Sequence, residues 1–287
     1  MERRPCFYFR YTRNRPSVTP PDGGPEGRII RSVRRIDLNS DVGESFGAYT
    51  IGNDEAVLRH ITSANVACGF HGGDPSVMRR TVRLAVAGRV AIGAHPGFPD
   101  LMGFGRREIQ MLEREVEDLV TYQIGALAGV AAAEGARLHH VKPHGALYTL
   151  GARDRARADA IARAVVAVDA TLILFGLAGS CLIEAGEAVG LRTAAEVFAD
   201  RAYQADGSLV RRDQPGAVID DPNEVVKRAL RIVRDGAITA CSGEDIALRG
   251  ETICLHSETP GAGSLAAQLR SSLEDARIRV IPLGTRE

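Results

Sequence analysis

Short apolar runs of strand length alternate with amphipathic helices from Ile36 to Ile281, and no other feature limits the fold of this chain as much. Strands are expected at 36–39, 61–68, 90–94, 138–141, 171–175, 192–198, 252–255 and 278–281. Helices are expected at 53–60, 75–87, 108–134, 154–168, 180–189, 221–234 and 260–272. The longest carries Ile109, Leu112, Val116, Leu119, Leu127 and Val130 at helical spacing and stops at Gly135. A hairpin is expected at 205–212, around Asp206-Gly207. Chains that return through a helix re-enter a sheet in the same direction, so the strands should be parallel. The fold class is therefore α/β. A TIM-like (β/α) barrel of seven or eight strands, formed as one domain by residues 36–287, fits this length. An open, doubly wound sheet satisfies the same periodicity.

The stretch Asn65-Val-Ala-Cys-Gly-Phe-His-Gly-Gly-Asp-Pro, ending at Pro75, is the most informative local segment. An apolar strand breaks into glycines that allow close approach to the backbone, and His71 stands among them. Asp74 followed by Pro75 reads as a helix cap with proline at the first helical position. Strand, glycine loop and helix together hold His71 where loops commonly carry function.

The same placement recurs. Asp37, Asn39, Asp41 and Glu44 follow the first strand; His71 and Asp74 follow the second, and His95 the third. Lys142 and His144 follow the fourth, Glu196, Asp200 and Arg201 the sixth, and His256 the seventh. In a parallel barrel these strand ends share the face that carries the active site. Asp37, Asn39 and Asp41 are spaced by two and could point one way, to hold a cation, orient a base or satisfy one another. A divalent metal held by acids and histidines is one option. Lys142 beside His144 could hold an oxyanion while the imidazole moves protons. His60, His139 and His140 lie inside a helix or strand pattern and read as structural. The sequence has no Gly-x-x-x-x-Gly-Lys-Ser/Thr loop. Gly261 and Gly263, at the start of the last helix, are the nearest candidates for binding phosphate.

Charge is balanced, 36 basic against 36 acidic residues, which gives no electrostatic case for nucleic acid or a membrane surface. Five cysteines without paired spacing fit a reducing cytoplasm. Residues 1–35 hold nine arginines, three acids and several prolines, and read as a disordered basic extension outside the domain.

These motifs resemble the LamB/YcsF family. The resemblance is carried by Asp37-Leu-Asn-Ser-Asp-Val-Gly-Glu44, the 65–74 stretch, Ala91-Ile-Gly-Ala-His-Pro96, Val141-Lys-Pro-His-Gly145, Glu196-Val-Phe-Ala-Asp-Arg201 and Asp206-Gly-Ser208, in that order. At His256 the chain reads His-Ser-Glu-Thr-Pro-Gly where the family reads His-Gly-Asp-Thr-Pro-Gly. The resemblance implies a barrel like those of glycoside hydrolases and deacetylases, often with seven strands. It implies the A subunit of a bacterial ATP-dependent 5-oxoprolinase, which converts 5-oxo-L-proline, ATP and water to L-glutamate, ADP and phosphate. ATP would be a cosubstrate handled with partner subunits B and C; self-association stays open. Asp41, His71, Lys142 and His144 would be the catalytic set. Asp37, Asn39, Glu44, Asn65, Asp74, His95, Glu196, Arg201 and His256 would contact the substrate. Two other readings remain: a stand-alone metal-dependent deacetylase or amidohydrolase with Asp41, His71 and His95 as ligands, and a noncatalytic lactam-binding regulatory subunit.

Overall fold

The computed structural model describes residues 34–259 and 261–285; the extension expected at 1–35 lies almost wholly outside them. Strands β1 (Arg35–Val42), β2 (Ser63–Ala67), β3 (Ala91–His95), β4 (Leu138–Val141), β5 (Ile173–Leu177) and β6 (Arg192–Phe198) are followed by β7 (Ala237–Thr239), β8 (Asp245–Ala247), β9 (Thr252–His256) and β10 (Arg279–Val280). Between them run α1 (Asp54–Leu58), α2 (Pro75–Gly88), α3 (Glu113–Ala133), α4 (Gly145–Arg153), α5 (Arg155–Val168), α6 (Cys181–Ala188), α7 (Pro222–Asp235) and α8 (Ala262–Asp275). The order β1-β2-β3-β4-β5-β6-β9, with β9 pairing back onto β1, closes a seven-stranded parallel barrel. This excludes the open sheet. The expected eighth strand forms only as β10, which pairs with Arg35 and Ile36 at the start of β1 and does not enter the ring.

Both faces of β1, β2 and β9 are buried, Arg35 at the start of β1 excepted. Leu38, Val42, Val66, Ala94 and Ile253 lie in one core cluster with Val82, Ile124, Leu127 and Leu269 from the helices. The helix starts follow the caps in the sequence. Asn53 Oδ1 accepts from Ala56 N–H, Asp74 caps α2 and Asp221 caps α7, the last two with proline next.

Four local expectations change. β1 runs on to Val42, so Asp37, Asn39 and Asp41 share one strand and one face. Helix α3 begins at Glu113 rather than 108, where Glu115 caps the Leu112 N–H. Residues 145–153, with Gly145 and Gly151 at either end of the segment, form helix α4 nonetheless. Residues 205–212 reverse direction through a single antiparallel bridge, Tyr203 to Leu209, without a ladder; the short hairpin is β7–β8. No helix among the described residues is long and apolar enough to cross a membrane.

Candidate active site

Strand β1 sends Asp37, Asn39 and Asp41 into the barrel at successive heights, the consequence of its period of two. Asp37 lies deepest. It accepts hydrogen bonds from the hydroxyls of Thr62 and Ser63, each at 2.7 Å, and from Thr252. Burial pushes its carboxyl up to about 6, against the lowering effect of those hydroxyls. Asn39 sits above it, donating to Thr252 Oγ1 at 2.7 Å. Asp41 is next, level with Asn65 of β2 and His256 of β9. Asn65 donates to Asn39 Oδ1 at 2.7 Å and to Asp41 Oδ1 at 2.8 Å, and accepts from His140 Nε2 at 2.7 Å.

Lys142, just past β4, is 2 % exposed. Its Nζ lies 2.9 Å from Asp41 Oδ1, 2.9 Å from Glu196 Oε1, 2.9 Å from Cys254 Sγ and 3.2 Å from Asn39 Oδ1. The Glu196 oxygens make no aligned hydrogen bond, so that pairing is electrostatic. Burial opposes the ammonium charge, yet Asp41, Cys254 and Glu196 hold the lysine protonated well above its ordinary range. In the same way burial works against an ionised Asp41, while His95 and Lys142 keep its carboxyl well below the usual value.

Beyond Asp41 the loops after β1, β2 and β4 and the end of β3 bring Glu44, His71, His144 and His95 together, all buried. His95 Nδ1 is 2.7 Å from the Lys142 carbonyl oxygen, and His144 Nε2 is 2.7 Å from that of Phe104. A carbonyl only accepts, so both nitrogens carry hydrogen, and the other nitrogen of each ring is left to face the site. Those two, His95 Nε2 and His144 Nδ1, face each other at 3.0 Å. Asp41 Oδ2 is 3.3 Å from His95 Nε2, and Glu44 Oε1 is 3.3 Å from His144 Nδ1. The His71 ring stacks flat on His144 at 3.7 Å and places Nε2 3.2 Å from Glu44 Oε1. Burial, reinforced by neighbouring histidines, depresses His71 and His144 well below 6.5. Burial and the Asp41 charge push Glu44 well above its usual range.

Phe104 adopts φ 54°, an uncommon conformation for a side-chain-bearing residue, and this turn aims its carbonyl at His144. Its ring lies edge-on to His71 and His144. Arg106 stacks over the same ring and pairs with Glu258, spanning the loops after β3 and β9. His256 lies between Asp200 Oδ2, at 2.8 Å from its Nδ1, and Arg212, at 2.7 Å from its Nε2.

Not every expected site residue joins this cluster. The Asp74 carboxylate is occupied by the amides of Ser76 and Val77 and by Gly47 N–H at 2.8 Å, which makes it a cap and loop clamp. Asp37 supports the site from below through Thr252. Arg201 donates to the carbonyls of Ala217 and Val210, so it pins the 202–217 segment, and burial lowers it to about 10. Gly261 takes φ 79° at the start of α8, and a Cβ on Gly263 would sit 2.7 Å from Ala56 Cβ. Both have packing reasons to be glycine, though they also line a cleft of about 550 Å³ with Asn53, Arg59 and Ser257.

The sequence reading passed over Cys254, Thr252 and the bracing role of His140. The β3–β4 register shifts between Ile92 and Gly93, which brings His140 level with Gly93. A Cβ on Gly93 would fall 2.1 Å from His140 Nε2, so the glycine makes room for the ring that orients Asn65. Inward spacing along β9 was the available signal for Thr252 and Cys254, two residues apart.

The family model for LamB/YcsF matches residues 36–287. The chain belongs to the LamB/YcsF family. Similar members include the A subunit of 5-oxoprolinase from Bordetella pertussis, 58% identical over 239 residues that make up 83% of this chain and 95% of that one. The A subunit of 5-oxoprolinase from Bacillus subtilis is 54% identical over 246 residues, 86% of this chain and 96% of that one. Among solved structures, the lactam utilization protein of Thermus thermophilus superposes with a TM-score of 0.82 at 49% identity, covering 86% of this chain and 99% of that one. The LamB/YcsF match thus spans the barrel and every residue of the buried cluster.

Proposed function

We propose that this chain is the A subunit of an ATP-dependent 5-oxoprolinase and binds and opens the lactam of 5-oxo-L-proline. The names of its relatives support the reaction class. One observation carries the assignment of chemistry to this chain: the buried Lys142 ammonium, held between Asp41 and Glu196 at the C-terminal mouth of the barrel. A five-membered lactam is an unstrained amide, and its oxygen and nitrogen both leave poorly. ATP supplies the phosphoryl group that makes the lactam oxygen a leaving group, brought in the cytoplasm by subunits B and C. That division suits a sequence without a P-loop.

Within this chain, the Lys142 ammonium faces the negative charge that gathers on the oxygen as water adds to the carbonyl carbon. Asp41, kept ionised, takes the proton from that water. It returns the proton to the ring nitrogen as the C–N bond breaks, which leaves the glutamate amine and an acyl phosphate; a second water then adds to the same carbon, and phosphate departs with the former lactam oxygen. Asn39, Asn65 and His95 fix Asp41 and Lys142 in register.

The test is glutamate release from 5-oxoproline and ATP, by this chain alone and with subunits B and C. Release only in the mixture, lost on changing Asp41→Asn with the circular dichroism of the fold retained, is the expected result. A silent mixture of folded subunits, or full turnover with Asp41→Asn, overturns the reading.

A further inference from the structure

The hydrogen-bond directions at the histidine cluster turn three ligand atoms toward one point. His95 and His144 each commit one N–H to a backbone carbonyl, so His95 Nε2 and His144 Nδ1 are left to face each other across 3.0 Å. Glu44 Oε1 lies 3.3 Å from His144 Nδ1 and 4.0 Å from His95 Nε2. Glu44 Oε2 is buried without a partner. Atoms placed this way need a shared proton or a cation between them.

We propose that Glu44, His95 and His144 bind one divalent transition-metal ion at the barrel mouth, with Zn2+ as the reference ion. Metal bonds of about 2.0–2.2 Å in a tetrahedron separate the ligand atoms by about 3.3–3.6 Å. The observed separations of 3.0, 3.3 and 4.0 Å straddle that edge length. Each histidine is also braced as metal-binding histidines are, its outer N–H donated to a carbonyl, one of them presented by the positive-φ turn at Phe104. Two imidazoles and a carboxylate select a borderline first-row ion over magnesium or calcium. Three protein ligands leave a coordination position open, where bound metal would make a water acidic. His71 is a positioning residue: its Nδ1 has no acceptor, so its hydrogen belongs on Nε2, from which it donates to Glu44. All four side-chain donor atoms lie within 4.8 Å of one another.

This goes beyond the lactam assignment and is measured without substrate, nucleotide or partner, so either can fail alone. The full chain, stripped with chelator at pH 7.5, is titrated with ZnCl2 by calorimetry, and its metal content is read by elemental analysis. One ion per chain is expected, with Co2+ giving the intense visible bands of a four- or five-coordinate site. Glu44→Gln, which keeps the side-chain volume, and His144→Ala should each weaken binding about 100-fold or more. His139→Ala, at the opposite end of β4, should leave it unchanged. No saturable uptake by folded protein overturns the proposal. So does uptake that survives Glu44→Gln, or uptake abolished by His139→Ala.

Discussion

Replacing Asp37 by asparagine should stabilise the protein, and by more as pH rises. Asp37 is fully buried, with three hydroxyls donating to it and no cation against it. Burial raises its carboxyl from the ordinary 3.8 to about 6. The sign follows from proton binding: the native state holds the proton more tightly, so stability is fully present below 3.8 and is lost as pH rises through 6. The whole difference, at about 1.4 kcal/mol per pKa unit, comes to about 3 kcal/mol at pH 8. Roughly half of it, about 1.4 kcal/mol, accrues between pH 5 and pH 8. Asparagine fits the same space and can donate to Thr252 Oγ1, and it has no charge to bury. Chemical unfolding of both proteins at pH 5 and pH 8 cancels every other titrating group. The advantage of Asp37→Asn should grow by about 1.4 kcal/mol over that interval, a relative gain in midpoint temperature of about 3–6 °C. A constant difference, or one that shrinks with pH, would show that Asp37 is not a buried carboxylate of raised pKa.

Lys142→Met should lower glutamate release by the B and C mixture about 10²–10³-fold or more, and lower stability by about 3–5 kcal/mol because Asp41 and Glu196 lose their cation. Adding Glu196→Gln should restore part of the stability and none of the turnover; turnover that returns with stability would make Lys142 a structural residue. Gly93→Ala should cost about 1–3 kcal/mol and reduce turnover, since the new Cβ meets the His140 ring that aligns Asn65; a neutral result in thermal melts would refute this packing. His71 and His144, neutral in the fold, should make the metal-free protein lose stability as pH falls below 6.5, where the unfolded chain binds the extra protons. The slope approaches about 1.4 kcal/mol per pH unit for each ring. In His71→Asn that slope should flatten; an unchanged one would mean that His71 is not depressed.

The barrel was legible because its strands are bounded by glycine, proline and capping residues, which locate elements without any tertiary knowledge. The inward set of β1 was half legible: Asp37, Asn39 and Asp41 recur every two residues, but the strand was expected to stop at Asn39 and runs on to Val42. Closure was less legible. Whether the last strand joins the ring depends on β9 reaching β1, a pairing between residues more than two hundred apart in sequence. The roles within the site were the least legible. Asp74 and Arg201 carry the same charges as groups in the cluster, but their hydrogen bonds go to backbone amides and carbonyls, and only coordinates reveal that. His140 read as structural, and it does act through another residue, but its contact with Asn65 depends on a register shift that no periodicity signals.

The arrangement also explains how one small volume holds carboxylates in opposite states. Asp41 and Glu44 lie on the same loop-strand junction and are both buried. Asp41 has Lys142 and His95 against it and is held ionised; Glu44 has the Asp41 charge nearby and only histidine nitrogens in contact, and is pushed toward its neutral form. Environments that drive two acids apart are how a site keeps a base and a group of different duty side by side. The neutral state of Glu44 lasts only while no cation faces it, so metal uptake at this position must release a proton from Glu44. A calorimetric titration repeated in buffers of different ionisation enthalpy reads that release directly. In Glu44→Gln the buffer dependence should vanish along with the tight binding. A wild-type titration that binds Zn2+ without releasing a proton at pH 7.5 would mean that Glu44 is already ionised, and the opposition between the two acids would fall.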